Sequence, residues 1–103
     1  INLPLYAVGA RGCISVVSNV APRLVAQTWD AWAAGDHNRA RALHFESLPL
    51  AEALFSEASP IPSKAALAMM GKLADDIRLP LHAMSDAPRA KLRTLLETMG
   101  LVK

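Results

Sequence analysis

The sequence has 103 residues, which is room for one domain at most. It is 52% hydrophobic and 19% charged, with a formal net charge of +2 from 11 basic and 9 acidic residues. No basic stripe or cluster of aromatics forms a platform for phosphates or bases, so no nucleic-acid partner is expected. No apolar run reaches the roughly 18 residues of a membrane-spanning helix, so no membrane partner is expected either. The single cysteine, Cys13, excludes an internal disulfide and fits a reducing compartment. So much apolar sequence in so short a chain predicts surface that packs on something further, either more chain or another copy. The first residue is Ile1, with neither the basic start nor the cleavage site of a signal peptide, and further chain upstream is expected.

Residues 1–9, INLPLYAVG, read as the tail of a helix with Gly9 near its C-cap. Gly12 then punctuates. Cys13, Ile14, Ser15, Val16, Val17 and Ser18 follow as a short run of β-branched and small residues without alternation. That pattern predicts a strand buried on both faces, as in a parallel sheet under helical cover. The rest of the chain offers no second strand to pair with it. Ser18 or Asn19 is expected to cap the next helix, with Pro22 in its first turn. Val25, Trp29 and Trp32 recur there at helical spacing, beside Leu24 and Thr28. Gly35 ends that helix and Asp36 caps the following one, whose apolar face is Ala40, Leu43, Ser47, Leu50, Ala51 and Leu54. Pro49 lies inside this pattern and is expected to kink or split it.

SEASPIPS, residues 56–63, reads as a turn whose prolines impose extended backbone on Ser59 and Ile61. A helix follows with Ala66, Met69, Met70 and Leu73 on one face. Residues 75–85, DDIRLPLHAMS, read as a non-helical crossing in which Leu79 and Leu81 tuck inwards. Ser85 caps a last helix striped by Leu92, Leu95, Leu96 and Met99, with Arg89, Lys91 and Arg93 on its wet side and Gly100 at its end.

Little in this pattern carries chemistry. His37 and His44 lie seven apart without a carboxylate at ligand spacing, so a metal site is not expected and surface histidines are. His82 has no obvious partner. Cys13 reads as a buried filler, because a nucleophilic thiol needs exposure and a positive neighbour. Lys64 sits near a helix start without the burial that a Schiff-base lysine requires. Asp75 and Asp76 are adjacent and face apart, so they form no acid–base pair. There is no GxGxxG, Walker, GxSxG or HExxH motif, and no cofactor is expected.

Four segments together say more: GARGCISVVSNVAPRL (residues 9–24), SPIPSKAALAMMG (59–71), RLPLHAMS (78–85) and LRTLLETMGL (92–101). In this order and spacing they resemble the C-terminal third of the dihydrodipicolinate synthase family. The resemblance implies a mostly α chain: the last βα unit of a (β/α)8 TIM barrel plus an appended C-terminal helical domain. Residues 1–35 would hold the tail of helix seven, strand eight and helix eight, and residues 36–103 the helical domain. The family condenses pyruvate with aspartate semialdehyde through a lysine Schiff base, in lysine and diaminopimelate biosynthesis, as a cytoplasmic homotetramer. Its catalytic lysine and tyrosines belong to earlier strands, so no catalytic residue is carried over. Lys64 matches a lysine of the appended domain. Ser18 and Asn19, at the end of strand eight, would lie near the barrel mouth, where such sites are built.

Three positions depart from the family's habit, which more often has Asn at Ser59, an aliphatic at Ser63 and Val at Cys13. Two other readings compete. One is a segment of a related pyruvate aldolase such as N-acetylneuraminate lyase. The other is a free-standing, self-associating helical interaction module. As a C-terminal segment of a dihydrodipicolinate synthase, the chain is expected to be inactive by itself.

Overall fold

The computed structural model describes all 103 residues, and they form six helices and no strand. These are α1 (Asn2–Ala7), α2 (Val17–Val20), α3 (Pro22–Ala33), α4 (His37–Leu54), α5 (Ile61–Met69) and α6 (Asp86–Thr98). The chain divides into two compact units, Ile1–Leu48 and Pro49–Lys103, and the division falls inside α4.

In the first unit, α1 and α2 pack on α3. Helix α1 ends as its sequence demands: Val8 is the C-cap, and Gly9 takes φ +104°, a value only glycine adopts freely. Tyr6 is its one buried residue and meets Trp29 of α3 edge-on, with ring centroids 5.0 Å apart. Helix α3 opens on a proline in its first turn, where the missing N–H costs nothing. Its buried stripe is Leu24 and Thr28, one turn apart, while Val25, Trp29 and Trp32 flank it half-buried. The Thr28 hydroxyl donates to the Leu24 carbonyl at 2.8 Å, which lets it be buried. Gly35 at φ +79° closes the helix, and the Asp36 carboxylate then accepts the Arg39 N–H at 3.0 Å.

Helix α4 buries Ala40, Leu43, Leu50 and Leu54, four turns of one face. Its helical assignment runs unbroken through Pro49. Pro49 is exposed, so the Phe45 carbonyl that loses its N–H donor lies on the wet side of the helix.

In the second unit α5 packs on α6. Its core is Leu50, Leu54, Ile61, Pro62, Ala65, Ala66, Met84, Leu92 and Leu96. Residues 71–85 cross without regular structure. Three polar contacts pin this strap. The Lys64 ammonium donates to the Asp76 carbonyl, Arg89 pairs with Asp75 at 2.7 Å, and the Glu57 carboxylate accepts the Ser85 N–H at 3.2 Å. Gly100 at φ +69° closes α6.

Several expectations fail. Residues 10–15 form no strand, Val16 is a bend and Val17 already begins α2. A strand exists only through its neighbours, and none is present. Cys13 and Ile14 are exposed, Ile14 fully so, where burial on both faces was expected. Ser18 and Asn19 lie within α2 and do not cap α3, whose N-cap is Ala21. Ile61 opens α5, because Pro62 is tolerated in a first turn. Leu79 points to solvent at 90% exposure, and Met84 fills the space instead at 4%. Ser85 occupies the N-cap position of α6 with extended backbone, but its side chain makes no capping bond.

The two units allow a signed test of the core. The Ser63 hydroxyl is buried in α5 without a hydrogen-bond partner. A lone buried hydroxyl costs about 1–3 kcal/mol, so Ser63→Ala is expected to stabilise the chain by about 1 kcal/mol. Leu96 is fully buried, and Leu96→Ala should cost about 2–5 kcal/mol. Urea midpoints with unchanged slopes would report both; a destabilised Ser63→Ala variant would show that the hydroxyl has a partner.

Candidate functional site

The polar residues at the start of α2 are held by local chemistry. Val16 already has helical dihedrals (φ −69°, ψ −42°), so Ser15 is the effective cap. The Ser15 hydroxyl accepts the Ser18 N–H at 3.1 Å, and the Ser18 hydroxyl donates back to the Ser15 carbonyl at 2.8 Å. The Asn19 amide donates to the Val16 carbonyl at 3.1 Å. The polar groups of both predicted site residues are thus engaged with the turn that carries them. Ser18 is half-buried and Asn19 exposed.

Sequence reading missed the contacts that Cys13 makes. Its sulfur accepts from the Asn2 amide at 3.3 Å and lies 3.9 Å from the Tyr6 hydroxyl. Burial, first, and then the contact with Cys13 and its charge push the Tyr6 hydroxyl up to about 12. No spacing rule links residues 2, 6 and 13. Only the return of the chain after Gly9 brings them together.

The other candidates stay apart. Lys64 is half-buried and spends its ammonium on the strap. Asp75 is in an ion pair with Arg89, while Asp76 contributes only its carbonyl to Lys64. His82 bonds the neighbouring Ala83 carbonyl. His37 stacks on Trp32 with centroids 4.5 Å apart and planes at 23°. His44 is half-buried, and burial holds its imidazole below the usual histidine range. No group of three or more His, Cys, Asp or Glu side chains has the geometry of a metal site. No helix is long and apolar enough to cross a membrane.

The backbone is that of known enzymes. A dihydrodipicolinate synthase from Aquifex aeolicus superposes with a TM-score of 0.93 at 43% identity, over 96% of this chain and 34% of its own. That from Thermotoga maritima gives 0.95 at 40% identity, over 97% and 34%. In sequence, the 4-hydroxy-tetrahydrodipicolinate synthase of Syntrophus aciditrophicus is 49% identical over 101 residues, which is 98% of this chain and 35% of the relative. A family model described as the Dihydrodipicolinate synthetase family matches residues 1–99. The chain belongs to the dihydrodipicolinate synthetase family. It spans about a third of the length of these relatives and corresponds to their C-terminal part.

Tyr6 is the only tyrosine, so tyrosinate absorbance reports it alone. Its ionisation is expected near pH 12, against an ordinary 10.0. Between those values the unfolded chain releases a proton that the folded chain keeps. The stability from this group is therefore fully present below pH 10.0 and is lost as pH rises through about 12. Replacing Cys13 by Ala should bring the transition only part of the way back, because burial is the larger cause; a full return would assign the shift to the thiol.

Proposed function

We propose that this chain is the C-terminal segment of a lyase that condenses pyruvate with aspartate semialdehyde, in lysine and diaminopimelate biosynthesis. The observation that carries this is the likeness along almost the whole chain, in sequence and in backbone, to proteins named as that synthase. On this reading residues 12–18 become the eighth strand of a (β/α)8 barrel once neighbouring strands are supplied. The appended helical domain begins near residue 36. Ser18 and Asn19 then stand near the barrel mouth.

Physical chemistry supports the strand reading in spite of its irregular state. Within the first unit, no main-chain N–H or C=O of residues 11–14 takes a main-chain partner. The run carries β-branched side chains, and Ile14 is entirely exposed. Such backbone is ready to pair with a sheet edge.

The same reading places the Schiff-base lysine outside these residues and the segment is inactive alone. A Schiff-base lysine is activated by burial or a neighbouring cation. Lys64 has neither, being half-buried with its ammonium on a carbonyl. The assembled enzyme is a cytoplasmic homo-oligomer of four chains that needs no metal or cofactor.

Borohydride trapping tests this directly. Incubated with pyruvate and borohydride, the chain should gain no mass on Lys64 or any other lysine. Mixed with a family member truncated of its C-terminal third, it should restore condensation and an adduct on the other chain. A stoichiometric adduct on this chain by itself overturns the assignment of the lysine, and failure to complement overturns the segment reading.

A further inference from the structure

The first unit carries a depression of about 420 Å³ between α1, α3 and α4 that the lyase reading does not use. Pro4 and Trp32 form its walls, and His37, Arg41, His44 and Phe45 line the side along α4. Three features stand together there. The Trp32 and His37 rings are already stacked, which presents a flat aromatic wall. Phe45 is 61% exposed, an unusual state for a ring with no polar handle. Arg41 is exposed, bonds only the nearby Asn38 side-chain oxygen at 3.0 Å, and makes no ion pair within its unit.

The charge of the lining is one-sided. One guanidinium and two imidazoles face the space, and no acidic side chain lines it. An aromatic wall beside a guanidinium without a carboxylate partner suits a ligand with a ring at one end and an anion at the other. The guanidinium offers two parallel N–H donors that match a carboxylate. The volume lies within the range of about 300–1,000 Å³ of small-molecule sites, too small for a folded partner.

We propose that this depression is a binding site for a small aromatic carboxylate, with the ring against Trp32 and Phe45 and the carboxylate on Arg41. Arg41 and Phe45 are both exposed, so replacing either leaves the folded core intact.

Phenylacetate is the probe, titrated into the full expressed chain by calorimetry and followed by the Trp32 indole N–H and the His37 ring signals in NMR. Saturable binding that moves those signals is expected. Acetate, which lacks the ring, and 2-phenylethanol, which lacks the charge, should each bind at least about tenfold more weakly. Arg41→Gln should lose about tenfold for phenylacetate and nothing for 2-phenylethanol, and Phe45→Ala should weaken both. Circular dichroism checks that each variant keeps its helices. No saturable binding, equal affinity for 2-phenylethanol and phenylacetate, or an unaffected Arg41→Gln variant overturns the proposal.

Discussion

Backbone hydrogen-bonding capacity is the constraint on which this chain turns. Every buried N–H and C=O must find a partner, and a helix finds its partners within itself. A strand cannot. Residues 2–7 and 17–98 therefore reach regular structure wherever their local sequence favours helix, with no help from outside. Residues 10–15 cannot, although their side chains favour a strand. They lie irregular, with Cys13 and Ile14 in solvent, until Ser15 can cap and hand the chain to α2. The Cys13 contacts with Asn2 and Tyr6 follow from that, because the thiol is outside any sheet and free to reach α1.

The second unit shows how irregular backbone is held when apolar burial is available. Residues 71–85 have no ladder, yet they are tied down. The ion pair of Asp75 with Arg89 is about one-third exposed at each partner, and pairs like it contribute about 0–1 kcal/mol. Met84 is a different case. Burying a methionine side chain is worth about 1.5–3 kcal/mol, so the buried thioether anchors the strap and the polar contacts set its register. The Glu57 carboxylate on the Ser85 N–H has a second effect. It puts a negative charge at the start of α6, where the helix dipole favours one, and it gives the Ser85 N–H an acceptor.

Features that depend on neighbours in sequence were legible. Gly9, Gly35 and Gly100 end their helices with positive φ, Asp36 caps α4, and the α4 and α6 stripes are buried at Ala40, Leu43, Leu50, Leu54, Leu92 and Leu96, with Ser47, Ala51, Leu95 and Met99 half-buried at their margins. Features that depend on distant chain were not. The choice between Leu79 and Met84 for the same core cannot be made from two apolar residues five apart in a crossing. The strand is the instructive failure. Its side-chain pattern is that of a buried strand, yet Cys13 and Ile14 are exposed, because the neighbours that a strand needs are not encoded in these residues. Likewise the depression on α1, α3 and α4 has no motif: Trp32 and His37 straddle a helix break, and only the turn at Gly35 stacks them.

Identity and peculiarity are carried by different residues. The segments that resemble the family are turns, caps and core stripes, the parts that set the course of the backbone. The departures lie inside them, Cys13 within residues 9–24 and Ser59 and Ser63 within residues 59–71. A thiol where the resemblance expects Val gives Tyr6 its sulfur neighbour, and a hydroxyl where it expects an aliphatic leaves Ser63 buried without a partner. Serine is smaller than the aliphatic it stands for, so Ser63 gives up apolar contact in the core of the second unit. Its hydroxyl has a cost of its own, since a buried polar atom must be bonded or it costs stability. Cys13 is exposed and faces no such requirement, whereas Ser63, fixed within a helix turn, is buried without a partner. The thiol stands where water reaches it and the hydroxyl where nothing bonds it, so the difference between the two departures comes from burial.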